Sequence, residues 1–120
     1  YSWSAENLSR VAASSDLAVI PIPLKDPLAA GKPENKLVLF WRFGLPAVVS
    51  STAAYSRALD LLGHAMACTT SEQWENTLER YIDDAELREN AGRMAKHLAD
   101  TEYGEDVLLN RWDALFHSIL

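Results

Sequence analysis

Apolar positions recur along this chain with two different periods, and the alternation between them sets out the elements. From Ser4, a suitable N-cap, Glu6 to Ala13 read as a short helix with Leu8, Val11 and Ala12 on a buried stripe. Residues 17–20 form a short apolar run closed by Pro21, predicting a strand covered on both faces. Pro21, Pro23, Pro27, Gly31 and Pro33 then punctuate the chain, so 22–32 reads as a long irregular loop. Residues 34–43 return to helix, with Pro33 at its start and Gly44 as its stop, and their apolar content all round predicts burial.

Residues 46–49 give a second short buried strand. Ser50, Ser51 and Thr52 form a polar turn whose last member caps a helix over 53–62, ended by Gly63. A weaker third strand spans 65–68. Thr70 or Ser71 then caps a helix with Trp74, Leu78, Tyr81 and Ile82 on one face. Asp83 and Asp84 open another helix with Leu87, Ala91, Met94, Ala95 and Leu98 on its stripe. The last helix, from Glu105, aligns Leu108, Leu109, Trp112, Leu115, Phe116 and Ile119. Trp41, Trp74 and Trp112 are assigned to the core. Helix and strand alternate first and helices follow alone, which predicts an α/β layered domain over 1–120, with a small, mainly parallel sheet and three C-terminal helices. So few strands leave an exposed sheet edge, which suggests that more of the sheet belongs to a preceding segment.

Composition changes this picture in four places. With 11 Lys plus Arg against 17 Asp plus Glu, the net charge is −6. The basic residues do not cluster, which excludes nucleic acid or an anionic membrane surface as the main partner. One cysteine, Cys68, supplies neither an internal disulfide nor a Cys-rich metal site, and nothing looks secreted; the expected location is cytoplasmic. The longest apolar run, 37–41, is far shorter than the roughly 20 residues of a membrane span. The opening Tyr-Ser-Trp-Ser, without Met, reads as the inside of a longer chain. Self-association is left open.

In an open parallel sheet, ligands bind outside the carboxyl ends of the strands, which directs attention to two loops. The first leads through Lys32, Glu34, Asn35 and Lys36 into the helix that follows the first strand. Free N–H groups at that helix start, two cations and an amide suit a phosphate or diphosphate, or else the lysines are solvated surface residues. The second is Ser50, Ser51 and Thr52, for which capping explains the hydroxyls equally well. His64, His97 and His117 are scattered, so no metal site is expected. Nucleophile-elbow, Walker and dinucleotide glycine motifs are absent. The acidic stretch from Glu72 to Glu89 reads as the wet face of two helices.

Three segments in this order, 15–21 (SDLAVIP), 44–50 (GLPAVVS) and 83–95 (DDAELRENAGRMA), with Asn35-Lys36-Leu37 before the second, resemble the C-terminal part of GT-B glycosyltransferases. The likeness is to the group 1, family 4-like members and runs over about the whole chain. It implies a Rossmann-like domain that binds a nucleotide-diphosphate sugar, with a separate N-terminal domain for the acceptor and no obligatory metal or other cofactor. It assigns the diphosphate to Asn35 and Lys36, with Lys32 assisting, and leaves Glu34 as either a ligand contact or a favourable helix-start charge. Two departures stand out. Many members place two glutamates eight residues apart around this helix, and the corresponding positions here are Gly31 and Leu39. The glycine-rich turn after the second strand is replaced by Thr52-Ala53-Ala54-Tyr55. The resemblance also implies that 105–120 cross back to the N-terminal domain. No residue of this chain is assigned as catalytic, and the chain alone is expected to be inactive. The alternative reading is a Rossmann-like scaffold or interaction domain that has lost catalysis.

Overall fold

The computed structural model describes residues 2–120; Tyr1, read above as an internal position of a longer chain, lies outside them. The fold is α/β, with a three-stranded parallel sheet in the order β1-β2-β3. Helix α1 (Ala5–Ala13) precedes β1 (Ala18–Ile20), and α2 (Pro27–Ala30) and α3 (Asn35–Arg42) lie between β1 and β2 (Ala47–Ser50). Helix α4 (Ala53–Leu62) connects β2 to β3 (Ala67–Cys68), and α5 (Ser71–Asp83), α6 (Ala85–Glu102) and α7 (Glu105–Ile119) close the chain.

The predicted caps form where short polar side chains precede apolar stripes. Ser4 Oγ accepts the Asn7 N–H at 3.0 Å, and Thr52 Oγ1 accepts the Tyr55 N–H at 3.2 Å. Thr70, rather than Ser71, caps α5, in a reciprocal arrangement with Gln73. Asp84 ends α5 and caps α6. Gly44 and Gly63 stop their helices at φ +72° and +76°, a left-handed conformation in which a Cβ is strained.

Valine and isoleucine pair across the sheet, Val19 with Val48 and Ile20 with Val49, while Val49 pairs with Ala67. Helices α3 and α5 pack on β2, and α4 and α5 on β3. The core gathers Trp41, Leu37, Val48, Val49, Met66, Tyr81 and the alanine face of α6. That face, Ala91, Gly92, Ala95 and Ala99, lets α6 approach α3 closely: a Cβ on Gly92 would overlap the Gly44 carbonyl oxygen.

Six expectations need correction. On the α1 stripe Ala12 alone is buried, and Val11 reaches the surface. The first strand is covered on one face only: Val19 is 51% exposed, because β1 is an edge strand and the covering helices lie on its neighbours. The 22–32 loop contains a helical turn, α2, capped by Asp26 on the Leu28 N–H. Helix α3 is not buried all round; Leu37, Val38 and Trp41 face the core, while Leu39 and Phe43 reach the surface. On the α5 and α6 stripes, Ile82 and Met94 are exposed, since the small residues of α6 make its main contact. The largest departure is α7, which buries no residue. Trp112, assigned to the core, is 57% exposed, stacked only on Phe116 of its own helix. An amphipathic stripe states that a face is apolar, not what covers it.

Candidate functional site

Helices α3 and α6 bring Gly44 beside Gly92 at one end and Glu34 beside Tyr103 at the other. The second end, where the loop from β1 enters α3, opens into a cleft of about 550 Å³. One wall is α3, through Asn35, Val38, Leu39 and Arg42 at i, i+3, i+4 and i+7. Pro33 and Glu34 form its lip, Tyr103 its floor, and Leu108 and Arg111 of α7 the opposite wall.

The polar groups of the cleft are tied to one another. Tyr103 donates its hydroxyl to Glu34 Oε1 at 3.3 Å. Arg42 donates to the Tyr103 carbonyl oxygen at 3.2 Å, and Arg111 lies 3.6 Å from the Glu102 carboxylate. Burial first, and then the negative charge of Glu34, push the Tyr103 phenol above its ordinary value, so it is a hydrogen-bond donor at neutral pH. Trp41 meets its ring edge-on at 6.4 Å, fixing the floor to the core.

The start of α3 is chemically open. Glu34 stands at the N-cap without bonding its own helix, and no acidic residue occupies the first turn. The Val38 N–H is the first to reach a carbonyl, Glu34 O at 3.0 Å, which leaves the N–H groups of Asn35, Lys36 and Leu37 uncapped. Helix α7 also begins without a side-chain cap, but Glu105 and Asp106 compensate its dipole.

The sequence-predicted residues divide accordingly. Glu34 and Asn35 line the cleft. Lys32 and Lys36 are exposed outside it: Lys32 lies in the loop before α3, and Lys36 points about 100° away from Asn35 around the helix. Ser50 has a structural partner: its buried Oγ accepts the Ile22 N–H at 2.7 Å and fastens the loop leaving β1 to β2. Ser51 bonds the Thr69 hydroxyl across the ends of β2 and β3, and Thr52 caps α4. The places where the resemblance puts the two glutamates hold Gly31 at the end of α2 and Leu39 on the cleft wall.

The chain matches no family model, no curated protein and no solved structure.

Sequence reasoning missed Arg42, Tyr103, Leu108 and Arg111 as cleft residues. The α3 spacing offered a signal for Arg42, which shares the face of Asn35. Nothing linear joins Glu34 to Tyr103, 69 positions away. Among the described residues, no three His, Cys, Asp or Glu side chains are placed to hold a metal ion. His64 is hydrogen-bonded to the Tyr81 hydroxyl at 2.8 Å, and His117 to the Asp113 carbonyl of its own helix. No helix among them is long and apolar enough to cross a membrane.

Proposed function

We propose that this chain is the donor-side, Rossmann-like half of a GT-B glycosyltransferase that takes a nucleotide-diphosphate sugar and works in the cytoplasm with an N-terminal acceptor domain. The observation that carries the reading is the uncapped first turn of α3, reached from β1 and flanked by the exposed Lys32 and Lys36. Such a turn receives the leaving diphosphate through N–H groups and cations, without needing a metal. The order β1-β2-β3 runs one way and has no reversal of its own. In this reading the order reverses beside the unpaired edge of β1, next to the loop that enters α3, where sheets of this kind bind ligands. Asn35 and Lys36 are the main phosphate ligands in this reading, Lys32 assists, and Glu34 is set aside by its bond to Tyr103.

The test is an amide chemical-shift titration with pyrophosphate, UDP, GDP and dTDP. Saturable movement confined to residues 31–37 is the expected result, and Lys36→Ala should weaken binding by about 1–3 kcal/mol. Binding that leaves those amides still, or an unchanged affinity in Lys36→Ala, refutes the assignment.

A second reading, an interaction or scaffold domain without catalysis, is favoured by one observation. Helix α7 presents Leu109, Trp112, Leu115, Phe116 and Ile119 to solvent, an apolar face of the kind that marks interaction surfaces. The titration separates the readings, since a scaffold has no reason to bind nucleotides at α3.

A further inference from the structure

Helix α7 is 15 residues long and buries none of them, so its apolar face has no occupant within the chain. We infer that it pairs antiparallel with α7 of a second copy, making the chain a dimer about a two-fold axis that crosses the helix between Trp112 and Leu115. The inference is independent of the phosphate reading of α3.

The residue pattern is that of a two-helix seam. Leu108, Trp112, Leu115 and Ile119 follow one another at steps of 4, 3 and 4 and fall on one narrow stripe. Leu109 and Phe116 widen it on one side, while Asp106, Asn110, Asp113 and His117 lie on the opposite side of the helix. Antiparallel pairing sets Leu108 of one copy against Ile119 of the other, and Trp112 against Leu115, so each layer of the seam is apolar. The stripe is its own complement, which a two-fold interface requires.

Charge selects the direction. Parallel pairing would gather Glu105 and Asp106 of both copies at one end, four carboxylates in the first turns. Antiparallel pairing separates them by the length of the helix, about 20 Å. It also brings Arg111, beside the seam, to the last turn of the other copy, where the helix dipole favours a cation. A bilayer suits α7 poorly, because interfacial helices carry Lys and Arg on their polar face, whereas α7 has Arg111 alone against Glu105, Asp106 and Asp113.

The exposed area is what a stable dimer needs. The six apolar residues are between 39% and 69% exposed and together show roughly 600 Å² per copy. That is at the upper limit of what a monomer leaves bare, and two copies together bury about 1,200 Å² before flanking residues are added, the size of a specific interface. The radius of gyration, 15.5 Å, exceeds the roughly 13–14 Å of a compact chain of this length, as an undocked helix requires.

The experiment is sedimentation equilibrium of the 120-residue chain over a range of concentrations. The mass is expected to rise from 13.3 kDa to twice that value, with a Kd of about 10 μM or tighter. Trp112→Glu is expected to weaken association by at least about tenfold. Since α7 buries no residue, this substitution leaves the core intact, and the amide spectrum of 5–102 should show it. Leu61→Glu, on the comparably exposed Leu61 of α4, is expected to leave the dimer unchanged. In a sample mixing labelled and unlabelled chains, filtered NOEs should join Leu108 to Ile119, which one helix holds about 16 Å apart. A chain that stays monomeric at about 1 mM overturns the inference and leaves the face to another occupant, the N-terminal acceptor domain or, if anionic vesicles shift the Trp112 fluorescence, a bilayer. A dimer that survives Trp112→Glu, or NOEs from Trp112 to any other element of the second copy, overturns it as well. Pyrophosphate binding at α3 is read separately, so either conclusion stands or falls without the other.

Discussion

Replacing Gly92 with alanine tests the contact that positions the whole site. In an exposed helix interior, glycine to alanine stabilises by about 1 kcal/mol, because alanine loses less backbone entropy on folding. Gly92 is the opposite case. A Cβ there would overlap the Gly44 carbonyl oxygen and lie 3.3 Å from Pro46 Cδ. Neither neighbour yields easily: Gly44 is held at φ +72° by the stop of α3, and Pro46 has a fixed ring. Overpacking of this kind costs roughly 1–3 kcal/mol or more, and a clash with backbone belongs at the upper end. After subtracting the propensity gain, Gly92→Ala should destabilise the domain by about 1–2 kcal/mol, lowering Tm by roughly 4–8 °C. Urea unfolding reads this as a lower midpoint at constant slope. Gly63 gives the contrast, since nothing lies within 4 Å of its would-be Cβ and only its φ of +76° matters. Asparagine, which tolerates that conformation, should be accepted at 63 and rejected at 92. A Gly92→Ala variant as stable as the parent would refute the close approach of α6 to α3, and with it the placement of Tyr103 against Glu34.

Ser50→Ala should cost about 1–2 kcal/mol, because it strands the Ile22 N–H, and should leave phosphate affinity at α3 nearly unchanged; denaturant midpoints and the pyrophosphate titration measure the two effects. Burial raises Tyr55, Tyr81 and Tyr103 above the ordinary 10.0, so the unfolded chain ionises first, and their stabilising contribution, complete below pH 10, should be lost as pH rises beyond it. Tyrosinate absorbance followed beside unfolding checks this, and Tyr103→Phe should remove part of the alkaline loss. Burial, and then Arg80, depress His64 below 6.5, so stability should be present above that pH and fall as the medium is acidified through the depressed value. His64→Gln should flatten the urea midpoint between pH 7 and 5; an unchanged slope would exclude His64 as the cause.

What the sequence determined by itself is local and periodic. Ser4, Thr52 and Asp84 precede apolar stripes and cap the helices expected of them, and Gly44 and Gly63 stop α3 and α4. The short alanine and valine run after Pro46 forms the fully buried β2. These features depend on neighbours within about four residues, so they are readable in one dimension. Tertiary structure decided which apolar faces are covered. Val19 and Trp112 belong to patterns indistinguishable from those of Ile20 and Tyr81, and their exposure follows from an edge position and an undocked helix. The site divides along the same line. Asn35 and the open helix start were visible from Pro33 and the cations around it, whereas Tyr103 and Arg111 enter the cleft only because alanines and Gly92 bring α6 against α3. A helix start is a local property; a cleft depends on the distance between two helices, which close packing of distant residues sets.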